Sequence, residues 1–218
     1  MNRKLYYLIA LFLIPALVFT GCSKDEEEPT VDSQKVMTTY MVSQNMDLNT
    51  ILDGFVMAAP DNGDVSAKHI IDIRTAADFA AGHIEGAVRV DLKDILTEAA
   101  NATKPILVVC KTGQTATFAV TLLRLSGYPD AKALKWGMSG WNLDFDAWTS
   151  NTASIAEGHA NWNSDAAPNN LTYANPKFTT TQTAGAEILK ERITAVLNDG
   201  FKTTTADDVL NNPGSYFI

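Results

Sequence analysis

The sequence predicts an α/β protein with a doubly wound parallel sheet that carries helices on both faces. Strand-like and helix-like segments alternate along residues 46–135, the order that produces parallel strands joined by helices. Residues 105–109 form a continuous apolar run, as expected for a central strand buried on both faces. The 218 residues, 46% of them hydrophobic, supply one globular core and material for part of a second.

The first elements follow from short local signals. Residues 46–59 space their apolar side chains as a helix with one buried face does. Residues 69–73 predict a strand. Thr75, with Asp78 three positions later, resembles a capping box that opens the next helix, and Gly82 can end that helix.

The remaining elements continue the alternation. Residues 87–90 predict a second strand, and residues 91–100 a helix capped by its first residue. A helix is predicted over 114–126, because its apolar residues fall on one side and Gly127 follows it. Residues 131–135 predict a further strand.

Cys110 occupies a position typical of a reactive thiol. It comes just after the predicted central strand, and ligands of open α/β sheets bind at the carboxyl ends of strands. The polar loop after it leads into a helix N-terminus, where unpaired amides and the helix dipole favour an anion. The same field, together with the neighbouring Lys111, favours a thiolate over a thiol. Gly113 permits a tight curl of the backbone, and the small Thr115 and Ala116 leave room for a ligand.

The N-terminus has the features of a bacterial lipoprotein signal. Residues 1–21 combine a positive start, an apolar stretch and a small-residue end, which predict a secretory signal peptide. The apolar run is interrupted by Pro15 and is shorter than the roughly 20 residues of a membrane-spanning helix. Its end resembles the lipobox, so Cys22 is expected to be the lipidated first residue of the mature protein. An ordinary signal peptide cut elsewhere is the alternative.

An acidic tether is predicted over residues 22–40. The letters SKDEEEP resemble the export tag of surface lipoproteins in Bacteroidetes-type bacteria, and such a run is solvated and disordered in either case. We expect a lipid-anchored protein of the cell envelope, held at the outer membrane by Cys22, with surface exposure if the tag is functional. Lipidation leaves Cys110 without a partner in this chain, so this thiol is either reactive or paired with another molecule.

Composition and spacing argue against two kinds of ligand. The formal net charge of −8 disfavours a nucleic-acid partner. The three histidines are far apart in sequence and outside any Cys/His ligand spacing, so we expect neither a metal nor a cofactor. The sequence does not address the oligomeric state.

Four segments together resemble the rhodanese-like sulfurtransferases. They are the helix before residue 69 and the stretches IIDIRTAADFAAGHIEGAVRV, ILVVCKTGQTATFAVTLLRLSGYP and ALKWGMSGWNLDFDAW, in the family's order. The specific signature is DIR, then an acidic residue before Phe, then GHI-x-GA, with the cysteine loop at the expected distance. The resemblance covers roughly residues 45–148. It implies a rhodanese-like doubly wound sheet and a domain over 41–149.

On this resemblance the protein is an enzyme of the thiosulfate sulfurtransferase type. Cys110 accepts a sulfane sulfur from a small anionic donor such as thiosulfate and passes it, as a persulfide, to a thiol or cyanide acceptor. Lys111 is the candidate for recognition of the anionic donor, and a solvated surface lysine is the alternative. The backbone amides expected to hold the persulfide and the donor are those of Lys111, Thr112, Gly113, Gln114, Thr115 and Ala116.

Three further motif residues are expected to support the site. Asp72 and Arg74 end a strand near the active loop, which they could order by charge-assisted hydrogen bonds. An ion pair between Arg74 and Asp78 is the alternative. The family uses a histidine at the position of His83 to tie a turn to the sheet. Trp136 stands where the family usually has a glycine, which changes the wall of the pocket.

Two other functions are available to a chain of this kind. Cell-cycle dual-specificity phosphatases share the fold, but their loop needs an arginine to clamp the phosphoryl group, and Ala116 and Thr117 stand at the candidate positions. Phosphatase activity is therefore disfavoured. A non-catalytic rhodanese-like module that binds a partner or senses redox state is the second alternative, and uptake of sulfur by Cys110 separates it from an enzyme.

The C-terminal third differs in composition. Residues 150–183 are rich in Asn, Thr, Ser, Ala and Pro, which predicts a linker or an embellishment wrapped on the first domain. Trp162 and Tyr173 favour the embellishment. Residues 184–218 begin with an amphipathic helix and then repeat, in TADDVLNNPGSYFI, the helix-then-strand opening of the domain. They are interpreted as the start of a truncated second rhodanese unit, or else as a natural end that adds an edge strand.

Overall fold

The computed structural model describes residues 32–166, 169 and 171–216. The predicted signal peptide, the predicted lipidation site at Cys22 and the acidic run after it lie outside the described residues, as do the last two residues of the chain. Within the described ranges, no helix is both long and apolar enough to cross a membrane.

In the described part of the chain, five parallel strands form one sheet in the order β1-β5-β4-β2-β3. The central position of β4 confirms the prediction for its apolar run, and all four of its residues are buried. The register sets Asp72 beside Val109, so the carboxyl ends of the second and fourth strands meet at one edge. The strand bounds are Val56–Met57 (β1), His69–Asp72 (β2), Val88–Arg89 (β3), Ile106–Val109 (β4) and Lys132–Leu134 (β5).

Helices cover both faces of this sheet, as the sequence predicts. Alternate residues of the strands enter two apolar clusters, with Ile71 and Val108 in one and Ile70 and Leu107 in the other. The helix bounds are Ser33–Ser43 (α1), Leu48–Leu52 (α2), Ala76–Ala81 (α3), Ile95–Ala99 (α4), Gln114–Leu125 (α5), Gly137–Trp141 (α6), Gly185–Asp199 (α7) and Ala206–Asn211 (α8). Short 3-10 turns occur at Leu92–Asp94, Leu143–Phe145, Thr149–Asn151 and Pro213–Ser215.

The helix predicted over 46–59 is wrong in its second half. Helix α2 ends at Leu52, and Gly54 then takes a positive φ of 54° that turns the chain. Val56 and Met57 next form β1 and pair with β5. The sheet edge satisfies the backbone groups of this segment, and that tertiary pairing overrides the helical spacing of its side chains.

Helices α1 and α7 pack closely against each other. A Cβ added to Gly185 would lie 2.4 Å from Cβ of Tyr40, so the absence of a side chain permits the approach. Helix α7 buries Leu189, Ile193 and Leu197 in the same cluster as Ile71 of the sheet. Residues 33–40, assigned to the tether from the sequence, are thus helical, because this apolar face needs a partner.

The described residues between 152 and 184 form turns and irregular backbone. This segment touches the C-terminal helices: Asn161 donates a side-chain hydrogen bond to the carbonyl of Leu210, and Arg192 lies 5.2 Å from the ring of Phe178. Helix α8 forms where the helix-then-strand pattern predicts a helix. The described residues at the start of the predicted strand belong to a turn instead, because the chain bends at Pro213–Ser215.

Candidate active site

Cys110 follows β4 directly, and its side chain is enclosed by the loop that begins with it. The residue is only 5% exposed. Two backbone amides donate to Sγ: N of Gly113 at 3.1 Å and N of Ala116 at 3.3 Å. These contacts direct the positive ends of two N–H dipoles toward the sulfur, which favours an anion there.

The turn at Gly113 makes this arrangement available. Its φ of 91° lies in the left-handed region, and it precedes α5 as an N-cap without a side-chain hydrogen bond. No cap side chain therefore competes for the first amides of the helix. Thr112, Gln114 and Thr115 lie at the more exposed edge of the loop, and the hydroxyl of Thr112 is 3.5 Å from Oε1 of Gln114.

Helix α6 holds the first half of the cysteine loop from the other side. N of Met138 donates to the carbonyl of Cys110 at 2.9 Å, and N of Ser139 donates to the carbonyl of Lys111 at 3.1 Å. The hydroxyl of Ser139 lies 2.9 Å from the same carbonyl of Lys111. The loop that carries the thiol is thus fixed through its carbonyl groups.

Gly137 is required for this contact. Its φ is 58°, and an added Cβ would lie 2.3 Å from the carbonyl oxygen of Cys110 and 2.8 Å from N of Gly113. The sequence analysis missed the roles of Gly137 and Ser139. The signal available was the pair of glycines in WGMSGW, which marks a close backbone approach without saying to what.

Lys111 is half-exposed, and its Nζ lies 3.2 Å from Oδ1 of Asp78. Asp78 supplies the first hydrogen bond of the predicted capping box, since its amide donates to the hydroxyl of Thr75, and its carboxylate binds the same hydroxyl, which lies 2.7 Å from Oδ2. The hydrogen bond from Thr75 holds the pKa of Asp78 below its ordinary value, and the Lys111 ammonium adds to this. The ion pair predicted as an alternative between Arg74 and Asp78 is wrong, because Asp78 instead pairs with Lys111.

Asp72 and Arg74 form a buried, bidentate ion pair at the end of β2. Nε of Arg74 donates to Oδ1 of Asp72 at 3.0 Å and Nη2 donates to Oδ2 at 2.7 Å, and Nη2 also donates to the carbonyl of Gly82 at 2.7 Å. The pair fixes the end of β2 to the end of α3. Its connection with the cysteine loop runs through the backbone, where N of Ile73 donates to the carbonyl of Val109 at 2.9 Å.

His83 is exposed and lies just after the end of α3. Its Nδ1 lies 2.9 Å from the carbonyl of Phe79, and its ring stacks on the Phe79 ring with the centroids 3.9 Å apart. These contacts tie its turn to helix α3, whereas the family resemblance implied a tie to the sheet. Neither contact reaches the thiol.

Comparisons with known proteins identify a family and several relatives that this chain resembles. A family model described as Rhodanese-like domain matches residues 56–144. Thiosulfate sulfurtransferase GlpE of Pseudomonas putida (strain GB-1) is 34% identical over 87 residues, which are 39% of this chain and 79% of the relative. Thiosulfate sulfurtransferase GlpE of Pseudomonas aeruginosa (strain LESB58) is 29% identical over 103 residues, 45% of this chain and 94% of the relative. A solved structure of a rhodanese-related protein from Thermoplasma volcanium is 19% identical, with coverage of 39% of this chain and 88% of its own and a TM-score of 0.36.

Proposed function

The chain belongs to the rhodanese-like domain family, and we propose that it is a sulfurtransferase in which Cys110 carries a sulfane sulfur as a persulfide. The observation that carries this proposal is the pair of amides, from Gly113 and Ala116, that donate to Sγ of a buried cysteine. A structural cysteine in an apolar core has no need of two hydrogen-bond donors. A sulfur that bears negative charge during a reaction does.

In the first half-reaction, the thiolate of Cys110 attacks the outer sulfur of an anionic donor. A bond forms between Sγ and the sulfane sulfur, the sulfur–sulfur bond of the donor breaks, and its electron pair leaves with the remainder, which is sulfite when the donor is thiosulfate. The amides that donate to Sγ are placed to stabilise the new persulfide anion. No further oxidant or reductant takes part.

In the second half-reaction, cyanide or a thiolate attacks the outer sulfur of the persulfide. The bond between this sulfur and Sγ breaks, and its electron pair returns to Sγ as the thiolate. The enzyme regains its starting state, and the product is thiocyanate or an organic persulfide. One loop serves both transfers, because the negative charge of the enzyme lies on a sulfur at Cys110 both in the thiolate and in the persulfide.

Thiosulfate is the proposed donor for two reasons. The relatives from both Pseudomonas species are named thiosulfate sulfurtransferases. A dianion also suits the mouth of the loop, where Lys111 extends a half-exposed ammonium group. The donor must compete with Asp78 for this ammonium, so the binding of the donor and the ion pair oppose each other.

The test is intact mass spectrometry of the reduced protein after incubation with thiosulfate. The chain has two cysteines, so a Cys22→Ser variant serves as the reference and a Cys22→Ser, Cys110→Ser double variant as the matched control. We expect the reference to gain one sulfur atom, to lose it on addition of cyanide, and to yield thiocyanate, while the control gains none.

A contrary result would change the functional class. If the reference takes up no sulfur from thiosulfate, polysulfide or an organic persulfide, the protein is a non-catalytic rhodanese-like module that binds a partner or senses redox state. Uptake from polysulfide alone would retain the sulfurtransferase and exclude thiosulfate as its donor.

A further inference from the structure

Trp136 adopts a backbone conformation that its side chain disfavours. Its φ of 62° lies in the left-handed region, and among the described residues Asn45 is the other non-glycine residue with a positive φ. For a bulky aromatic residue this conformation is a genuine outlier, and strained backbone clusters at functional sites. The close approach of Gly137, the next residue, to the cysteine loop explains why α6 begins here. It does not explain why the cap residue is a tryptophan.

The strained residue lies directly against the cysteine loop. Its backbone N lies 3.2 Å from the position that a Cβ on Gly113 would take, and N of Gly113 donates to Sγ of Cys110 at 3.1 Å. One residue therefore separates the backbone of Trp136 from the reacting sulfur.

The indole ring is held in place but left accessible. Its centroid is 5.2 Å from that of Trp148 in an edge contact, and a Cβ on Gly140 would lie 2.9 Å from Cβ of Trp136. The indole N–H of Trp148 is buried without a hydrogen-bond partner, so Trp148 supports its neighbour by ring packing alone. Trp136 nevertheless remains 52% exposed.

A cation accompanies the exposed ring. Nζ of Lys135 lies 5.6 Å from the ring centroid of Trp136, and Lys135 is exposed. An indole surface with an ammonium group beside it suits a ligand that combines an aromatic or apolar body with an anionic group.

We propose that Trp136 and Lys135 form the acceptor subsite, and that the acceptor is an organic thiol with an aromatic or apolar body and a carboxylate. The proposal rests on the sulfurtransferase function proposed above. The body packs on the indole, the carboxylate pairs with Lys135, and the thiolate is directed at the outer sulfur held by Cys110. Its attack forms the new sulfur–sulfur bond, and the electron pair of the broken bond returns to Sγ, so the product leaves as an organic persulfide.

The experiment compares three acceptors on protein already loaded with sulfur. They are para-(mercaptomethyl)benzoate, which has a ring and a carboxylate, mercaptopropionate, which has the carboxylate alone, and cyanide, which has neither. Loading is measured first in each variant, by mass, and transfer is expressed per persulfide formed. All variants carry Cys22→Ser, so failure of the proposed function would show at loading in that reference, before any acceptor is added.

We expect Trp136→Gly to lower the ratio of kcat/KM for the aromatic thiol to that for cyanide by about fivefold to tenfold, mainly through KM. Trp136→Asn, whose side chain tolerates the left-handed backbone, should do the same and serves if the glycine variant folds poorly. Lys135→Gln should lower the ratio for both carboxylate thiols by about threefold. Leu143→Ala, which removes another exposed apolar side chain (87% exposed), should leave the ratios as they are.

An equal change for all three acceptors in both Trp136 variants would overturn the proposal. Trp136 would then be a positioning residue for the cysteine loop and would select no acceptor. A fall in the cyanide rate that exceeds the fall for the aromatic thiol would overturn it as well.

Discussion

Helices α5 and α6 begin at the site with the same cap geometry, but their first amides bind different groups. Helix α5 starts after Gly113 and helix α6 after Trp136, and both caps have left-handed backbone and no side-chain hydrogen bond to the helix. The cap and the third residue of α5 turn their amides to the sulfur of Cys110. The amides near the start of α6 go to the carbonyl groups of Cys110 and Lys111.

The comparison shows that the unpaired amides at a helix N-terminus can bind a reacting group or can hold the backbone around it. The first amides of any helix lack partners within that helix. At α5 they meet the sulfur whose charge changes in the proposed reaction. At α6 they meet carbonyl groups whose charge does not change, and so they fix where that sulfur lies. In the proposed reaction, the first arrangement stabilises the charged sulfur, and the second fixes the position from which it reacts.

Replacing Gly137 by alanine should disrupt the contact between α6 and the cysteine loop, and we expect the largest loss of activity from this variant. The new Cβ would lie 2.3 Å from the carbonyl oxygen of Cys110, so the loop and the helix must separate. We expect persulfide loading to slow by roughly 100-fold, because displacement of a reacting group by about 1 Å costs that much. Overpacking and the left-handed backbone together should lower the free energy of unfolding by about 3 kcal/mol. Single-turnover mass spectrometry and urea unfolding measure the two.

Gly54→Ala is the matched control for this variant. Gly54 has a φ of 54°, close to that of Gly137, and no atom within 4 Å of an added Cβ. It carries the same backbone strain without the collision. If both variants load sulfur equally well, α6 does not position the thiol.

Replacing Gly113 by alanine should disturb the amides at the start of α5, with a smaller loss of activity. The added Cβ would meet N of Trp136 at 3.2 Å, a contact that a shift of a few tenths of an ångström relieves. That shift misaligns the amides that donate to Sγ, and we expect loading to slow on the order of tenfold. Gly127→Ala, with a φ of 96° against 91° and open space around its Cβ, is the control at the other end of α5. A loading rate equal to that of the control would show that the two amides contribute nothing to the reaction.

The sequence was sufficient for the α5 side of this comparison. The apolar run before Cys110 has one solution in a parallel sheet, a central strand, and the glycine three residues later marks the turn into α5. The helix cap at Thr75, to which the amide of Asp78 donates, was equally local and was confirmed. Signals of this kind depend on neighbours in the chain, which the sequence displays.

Contacts between distant segments could not be predicted in the same way. The Lys111–Asp78 pair joins the cysteine loop to the first turn of α3, 33 positions away in the sequence, and the spacing of Arg74 and Asp78 suggested a local pair instead. The α6 clamp on the carbonyl of Cys110 depends on where the chain returns after β5. The helical spacing of residues 46–59 likewise gave no indication that a free sheet edge would extend Val56 and Met57.

Replacing Asp78 by asparagine tests the role of the Lys111 side chain. The carbonyl of Lys111 is hydrogen-bonded to α6, and its ammonium group pairs with Asp78. Without the carboxylate, the ammonium is free to meet an anionic donor, and we expect the KM for thiosulfate in the loading step to fall about twofold to threefold. Asp199→Asn makes the same charge change in the exposed pair with Lys202 and is the control. An unchanged KM in the Asp78 variant would exclude Lys111 from donor recognition.

The same variant has a defined dependence on pH. Because the hydrogen bond from Thr75 and the Lys111 ammonium lower the pKa of Asp78, the folded protein binds this proton less readily than the unfolded chain does. The resulting stabilisation is present above the unfolded value of about 3.9 and is lost as the pH falls through the folded value. It should amount to about 0.5 kcal/mol, since both side chains are partly exposed. Urea unfolding of wild type and variant should therefore differ near neutral pH and converge in acid, and a difference that persists in acid would assign the effect to packing of the Thr75 cap rather than to charge.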